Sequence, residues 1–181
     1  MAFQNGGRRR GLDYAPIILT LKLDPEAFAR FDGLRRLWYP AERNLIPAHV
    51  TLFHHLPGTR LPELKDDLKR VCRDRTPFRV EVAAIRSIGR GVAYMLRSPE
   101  LEELRGRLAD LWSDWLIPQD REGFRPHVTV QNKVDPKVAK DTLARLSVDF
   151  RPTSIMGEGL LLWRYRDGPW EAAGEVVFRG R

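Results

Sequence analysis

A six-residue motif that occurs twice constrains the fold of this chain more than any other feature of its sequence. Residues 47–52 read PAHVTL, and residues 125–130 read RPHVTV. The chain has only four histidines, so a chance doubling of His-Val-Thr is rare. Alternate side chains of a strand share a face, so the His and the Thr of each motif point the same way. Each motif therefore offers one imidazole beside one hydroxyl.

The elements around the motif repeat in the same order. Each half is predicted to hold a strand, a helix that begins with a capping residue and a proline, the motif strand, a second helix and a closing strand. In the first half the strand is 16–23, the helix 24–38, the motif strand runs through 53, the second helix is 61–72 and the closing strand 78–88. In the second half the strand is 92–97, the helix 98–115, the motif strand contains the second motif, the second helix is 138–146, and strands follow from 148 onward. A final hairpin at 160–178 has no counterpart in the first half.

A duplication of this size predicts how the chain is organised. Two units are too few for an open solenoid, so we expect a closed pseudo-twofold arrangement that brings the two motif strands to one cleft. The halves are predicted at about 14–91 and 92–181 of a single domain, preceded by a flexible basic arm at 1–13. With 43% apolar residues, the chain can fill a packed core.

The charge of the chain favours a polyanionic partner. The net charge is +7 and the pI is near 10.0, which suits RNA or another phosphate-bearing substrate. A solvated basic surface explains the same charge. The arm at 1–13 carries consecutive arginines, which either contact phosphates or have no role.

The cysteine content and the lengths of the apolar runs indicate in which compartment the protein resides. Cys72 is the only cysteine, so no intrachain disulfide and no cysteine-based zinc cluster can form. No run of apolar residues has the length of a membrane span or the quality of a signal peptide. We therefore expect a cytoplasmic protein with no membrane partner.

Two imidazoles that face one phosphorus atom can divide the roles of general base and general acid. The unperturbed pKa of imidazole is near 6.5, and each positioned proton transfer contributes roughly 10² to 10⁴-fold. The neighbouring Thr hydroxyls can bind non-bridging oxygens on which charge grows in the transition state. Opening a strained cyclic phosphodiester needs no more than this set, so no metal or other cofactor is expected. The sequence leaves open which His is the base.

The two motifs carry a family resemblance. His49-Val50-Thr51-Leu52 and His127-Val128-Thr129-Val130 resemble the His-x-Thr-x motifs of the 2H phosphoesterase superfamily, in its bacterial 2′-5′ RNA ligase-like branch, and the resemblance covers nearly the whole chain. It implies a bilobal α+β fold, with two antiparallel-rich sheets flanked by helices around a central cleft. It also implies metal-independent opening of 2′,3′-cyclic phosphates on RNA ends or small nucleotides, with 2′-5′ ligation in some members. By this resemblance His49 and Thr51 form one catalytic half-site, and His127 and Thr129 form the other.

Four further residues are candidates for substrate binding. Arg125 lies two residues before His127 and can clamp a phosphate through its planar fork. His55 shares the face of the first motif if its strand is regular. Gln131 and Lys133 stand an even number of residues after His127 and therefore share its face of a regular strand.

Other side chains near the motifs have weaker claims. Tyr14, Phe53, Trp163 and Trp170 can stack on a base, but residues of these types more often serve in packing. A zinc site built from His49, His54 and His55 is not expected, because these positions do not converge on one strand.

Three functions fit the sequence. The first is hydrolysis of a cyclic phosphodiester, with a bell-shaped pH dependence around neutrality. The second, from a different class, is a non-catalytic module that binds RNA ends or nucleotide phosphates. The third is 2′-5′ ligation. We expect a monomer in each case.

Overall fold

The structure is a computed structural model that describes residues 13–180. The basic arm predicted at 1–13 lies outside the described residues except for Asp13. The strands are β1 (Ile17–Leu23), β2 (Thr51–Leu56), β3 (Phe78–Ser87), β4 (Val92–Arg97), β5 (His127–Gln131), β6 (Thr153–Arg164) and β7 (Glu171–Val177). The helices are α1 (Pro25–Trp38), α2 (Leu61–Val71), α3 (Pro99–Leu111), the single turn α4 (Pro118–Arg121) and α5 (Pro136–Ser147). The predicted α+β class is confirmed.

Three of the helices begin where a capping side chain precedes a proline. The side chain of Asp24 accepts a hydrogen bond from the Ala27 amide at 2.8 Å, and Pro25 follows it as the first helical residue. Ser98 and Asp135 cap α3 and α5 in the same way. This signal is local, which explains why the sequence located the starts of α1 and α3, whereas α5 was predicted to begin at 138, two residues too late.

The strands form one antiparallel sheet in the order β2-β1-β6-β3-β4-β5, with β7 added alongside β6. The sequence predicted two sheets, one for each lobe. They are joined instead, because β3 and β6 pair from Phe78 against Gly157 to Val82 against Thr153. The third strand of each repeat thereby pairs with the first strand of the other, β6 with β1 and β3 with β4.

The buried face of α1 differs from the one expected from its apolar residues. Phe31 is buried, but Phe28 and Leu37 are 40% and 69% exposed. The buried residues of the helix are Ala27, Phe31 and Arg35, which are spaced four apart and lie on one stripe. A buried arginine therefore completes the inner face of α1.

The turn between β3 and β4 requires glycine at two positions. Gly89 has φ +82°, a conformation that residues with a side chain rarely adopt. At Gly91 an added Cβ would lie 1.9 Å from the carbonyl oxygen of Gln131 on β5. The turn thus passes directly against the strand that carries the second motif. Among the helices of residues 13–180, none has the length and apolar character needed to cross a membrane.

Candidate active site

The first motif lies where a loop enters β2. His49 precedes the strand, and pairing with β1 already begins at Val50, whose carbonyl accepts a hydrogen bond from the Leu21 amide at 2.9 Å. The amide of Ala48 donates to Asp32 Oδ1 of α1 at 3.0 Å. Backbone bonds on both sides therefore fix the position of His49.

The second motif begins β5 and is held in a similar way. The carbonyl of Pro126 accepts a hydrogen bond from the Leu96 amide at 2.9 Å. The carbonyl of Thr129 accepts a hydrogen bond from Arg35 Nη1 at 2.8 Å. A side chain of α1, in the first repeat, thus anchors the motif of the second repeat.

Both catalytic candidates make the same hydrogen bond. Nδ1 of His49 lies 2.8 Å from the carbonyl oxygen of Pro47, and Nδ1 of His127 lies 2.8 Å from that of Arg125. A carbonyl can only accept, so the hydrogen-bond network assigns the proton to Nδ1 in each ring. Nε2 is left as the atom that exchanges a proton with a ligand.

The sheet brings the two repeats together although their motif strands lie at opposite ends of the strand order. A cavity of about 210 Å³ is lined by Thr51 from β2 and by His127 from β5. Arg125 and Arg105 line the same cavity, together with the carboxylates of Asp120 and Glu122. The sheet must therefore curl until its two ends meet.

The surroundings of His49 favour its neutral form. Burial lowers the pKa of His49 to about 4, and the positive charges of Arg35, His127 and His54 act in the same direction, against the hydrogen bond to Pro47. The indole of Trp170 packs against the ring, with centroids 4.7 Å apart and planes inclined at 54°. At neutral pH, His49 is therefore an uncharged imidazole.

A bulge in β2 changes which histidine stands near the site. Leu52 and Phe53 are both buried, and the register with β1 shifts beside them, so the simple alternation of faces ends there. Consequently His54 lines the cavity with Thr51 and His127, in the place that the sequence assigned to His55. The amide of His55 donates to Asp120 Oδ2 at 3.1 Å, and its side chain is exposed.

The structure separates the remaining candidates for substrate binding. Arg125 is exposed at the rim of the cavity. Gln131 is buried, and its Nε2 donates to Thr142 Oγ1 of α5 at 2.8 Å, so its role is internal, unlike the substrate contact expected from the sequence. Lys133 is exposed on the turn after β5 with φ 62°. Thr129 is half-buried.

The aromatic candidates also differ in burial and in their distance from the motifs. Phe53 is fully buried against Trp112 and belongs to the core, and Tyr14 is 75% exposed. Trp163 and Trp170 remain half-buried beside His49.

Sequence reasoning missed a buried carboxylate that supports the site. The oxygens of Asp120 accept hydrogen bonds from the His54 amide at 2.9 Å and lie 2.8 Å from the His54 ring nitrogen Nδ1. Burial opposes ionisation of Asp120, but the bonds from the His54 ring and from the His54 and His55 amides outweigh it and lower the pKa of Asp120. Asp120 lies on α4, between the helix predicted at 98–115 and the second motif, where the sequence predicted no helix or strand, so no signal pointed to it.

Two buried arginines were missed for a similar reason. Arg105 donates to the carbonyl oxygen of Asp120 and lies 4.4 Å from the centre of the Phe53 ring. Arg35 reaches Thr129 as described above and also donates from Nε to Asn44 Oδ1 at 3.1 Å. Arg35 and Arg105 both lie on helices, where an arginine side chain is ordinarily exposed. Across residues 13–180, no cluster of three or more His, Cys, Asp or Glu side chains is placed to hold a metal ion.

Comparison with known proteins identifies the family. The model of the 2′-5′ RNA ligase superfamily matches residues 23–169, which is most of the chain. The chain belongs to this superfamily. The predicted membership of the 2H phosphoesterase superfamily, in its 2′-5′ RNA ligase-like branch, is thereby confirmed.

Solved structures share the fold of this 2′-5′ RNA ligase superfamily chain. TT0787 of Thermus thermophilus is 19% identical, with a TM-score of 0.64 over 91% of this chain and 98% of that one. E. coli LigT complexed with 3'-AMP is 16% identical, with a TM-score of 0.60 over 92% of this chain and 99% of that one. At these identities the likeness establishes the fold. No curated protein matches the chain significantly.

Proposed function

We propose that this chain opens 2′,3′-cyclic phosphodiesters on RNA ends or small nucleotides, with His49 and His127 as its acid–base pair and without a metal ion. The observation that carries the proposal is the single cavity that Thr51 and His127 line together, one from each repeat. The net charge of +7 supports a phosphate-bearing substrate. So does the complex of E. coli LigT, which shares the fold, with 3'-AMP.

The surroundings of the two histidines divide the roles between them. His49 is neutral at pH 7, because burial lowers its pKa to about 4, so we assign it as the base that takes a proton from water through Nε2. A bond then forms between the water oxygen and phosphorus while the bond to one ribose oxygen breaks. His127, in its protonated form, gives a proton to that leaving oxygen, and the product is a phosphomonoester.

The threonines and Arg125 complete the proposed mechanism. The hydroxyls of Thr51 and Thr129 bind the non-bridging oxygens, on which charge grows in the transition state. Arg125 lies at the rim of the cavity and binds the same phosphate or the next one. If a 5′-hydroxyl replaces water, the same acid–base pair joins two ends through a 2′-5′ linkage.

Replacement of either histidine tests the proposal. His49→Ala and His127→Ala are each expected to lower kcat for 2′,3′-cyclic AMP by about 10² to 10⁴-fold, the contribution of one positioned proton transfer. The measurement is steady-state hydrolysis, with and without EDTA, which should leave the wild-type rate unchanged. Thermal unfolding of each variant separates a loss of chemistry from a loss of fold.

Two outcomes would overturn the proposal. Full turnover by either single variant would show that the histidine pair does not carry the reaction. Binding of a cyclic-phosphate oligonucleotide without product between pH 5 and pH 9 would instead indicate the non-catalytic module.

A further inference from the structure

An apolar pocket of about 350 Å³ adjoins His49 on the side of β1 and β6. Its walls include Phe28 from α1, Leu161 and Trp163 from β6, and Trp170 from the segment before β7. The Trp163 and Trp170 ring centroids are 6.1 Å apart, and Trp170 also contacts the ring of His49. Flat aromatic surfaces therefore line a space next to His49, the proposed general base.

The polar groups that border this pocket are already engaged. Thr20 Oγ1 accepts a hydrogen bond from Trp163 Nε1 at 2.9 Å. Lys22 forms an ion pair with Glu175 of β7. An occupant of the pocket therefore gains mainly from stacking and apolar contact.

The corresponding region beside His127 adds arginines to a lining that is also largely apolar. A groove of about 650 Å³ runs from His127 along β3 and β4, and its lining includes Arg86, Arg97 and Arg125 with the single carboxylate of Glu102. The pseudo-twofold site thus has tryptophans on the His49 side and arginines on the His127 side. A nucleotide is asymmetric in the same sense, because its base is apolar and flat while its phosphates are anionic.

We propose that the pocket of Trp163 and Trp170 binds the nucleobase of the nucleotide whose cyclic phosphate reacts. This inference rests on the proposed function, since it places the cyclic phosphate between His49 and His127. The base is attached to the same ribose as the phosphate and lies one sugar away from it, which matches a pocket that shares His49 with the site. Stacking tolerates every base and strengthens with ring area, so the pocket favours purines without distinguishing adenine from guanine.

Kinetics on two substrates test this assignment. The first is 2′,3′-cyclic AMP, and the second is glycerol 1,2-cyclic phosphate, which has the reacting group but no base. Trp170→Ala is expected to lower kcat/KM for the nucleotide roughly 5- to 150-fold more than for the glycerol ester, which is the range for stacking of one base. Any effect of Trp170 on His49 itself falls equally on both substrates and cancels in the ratio.

Two variants control for the fold. Tyr165→Ala removes an exposed aromatic residue of the same β6–β7 hairpin outside the pocket, and should leave both substrates unchanged. Trp170→Phe retains an aromatic surface and should recover most of the ratio. Thermal unfolding of all three variants shows whether the hairpin remains folded.

The outcomes are distinguishable. If wild-type protein opens neither ester, the proposed function fails. If it opens both and Trp170→Ala lowers the two values of kcat/KM by the same factor, the function stands and the base pocket is wrong. A preference for pyrimidine over purine cyclic nucleotides would also overturn the assignment.

Discussion

The two histidines are each followed by Val-Thr but have different surroundings in space. Both rings are held through Nδ1 by a carbonyl two residues earlier in the chain. His49 is half-buried against Trp170, whereas His127 is exposed. Because burial penalises the charged form, the pKa of His49 is lowered and its ring is held neutral. The duplicated motif thus provides two residues of one type with unequal chemistry.

The lowered pKa of His49 predicts the acid limb of the pH profile. A base must be unprotonated to act, so kcat/KM for 2′,3′-cyclic AMP should decline only as the pH falls through about 4. An ordinary imidazole would be about 90% protonated at pH 5.5 and most of the rate would be lost there. The measurement is kcat/KM between pH 4 and pH 8, with return to pH 7 as the control for unfolding. An acid limb near pH 6.5 would show that His49 is not the base.

Among the elements, α1 does most to align the site. Asp32 holds the amide before His49, and Arg35, one turn later, holds the carbonyl of Thr129. The guanidinium also reaches Asn44 and stacks 4.3 Å from the centre of the Tyr39 ring. One helix of the first repeat therefore sets the relative position of both motifs.

The planar guanidinium of Arg35 predicts that Arg35→Lys and Arg36→Lys will have different effects on stability and turnover. Arg35→Lys keeps the charge, but an ammonium cannot hold Thr129 and Asn44 as the planar guanidinium does. It should lower the unfolding free energy by about 1–3 kcal/mol and kcat/KM by up to about 100-fold. Arg36→Lys is the matched control, because the Arg36 side chain is 70% exposed, and it should change neither. The measurements are urea denaturation and turnover, and equal effects of the two variants would refute the role of Arg35.

The sequence predicted the elements well where the signal is local. The capped prolines located α1 and α3, the helix predicted at 61–72 matches α2, and β4 has the predicted bounds 92–97.

Features that depend on tertiary contacts were not readable. The bulge at Leu52 and Phe53 arises because both side chains enter the core, and it replaces His55 with His54 at the cavity. The burial of Arg35 depends on acceptors 9 and 94 residues away. Partners so distant leave no periodicity in the sequence, and neither does Asp120.

At the scale of the whole molecule, contacts cross between the repeats in both directions. Arg35 of the first repeat binds β5 of the second, and Asp120 of the second repeat binds the backbone of β2 in the first. These two contacts fasten the ends of the sheet to the opposite half. The cleft is therefore closed by buried polar groups as well as by the curl of the sheet.

Asp120 is predicted to stabilise this closure. Asp120→Ala leaves the amides of His54 and His55 without their acceptor, and should lower the unfolding free energy by about 3–5 kcal/mol. The measurement is urea denaturation at pH 7, where the carboxylate is ionised because its pKa is lowered. Asp66→Ala, with a side chain that is 80% exposed, is the control and should change stability by less than about 0.5 kcal/mol. Equal stability of the two variants would contradict the role assigned to Asp120.

The exchange of third strands between the repeats has a consequence for how such a molecule can arise. In the structure, β1 of the first repeat pairs with β6 of the second. A single repeat on its own would lack this neighbour, and it could complete its sheet by exchanging third strands with a second copy. Such a homodimer would carry identical residues on both sides of its axis. Once the two copies share one polypeptide, each side can change independently, which permits tryptophans beside His49 and arginines beside His127. One polypeptide that holds both repeats can therefore carry unlike side chains at its two half-sites.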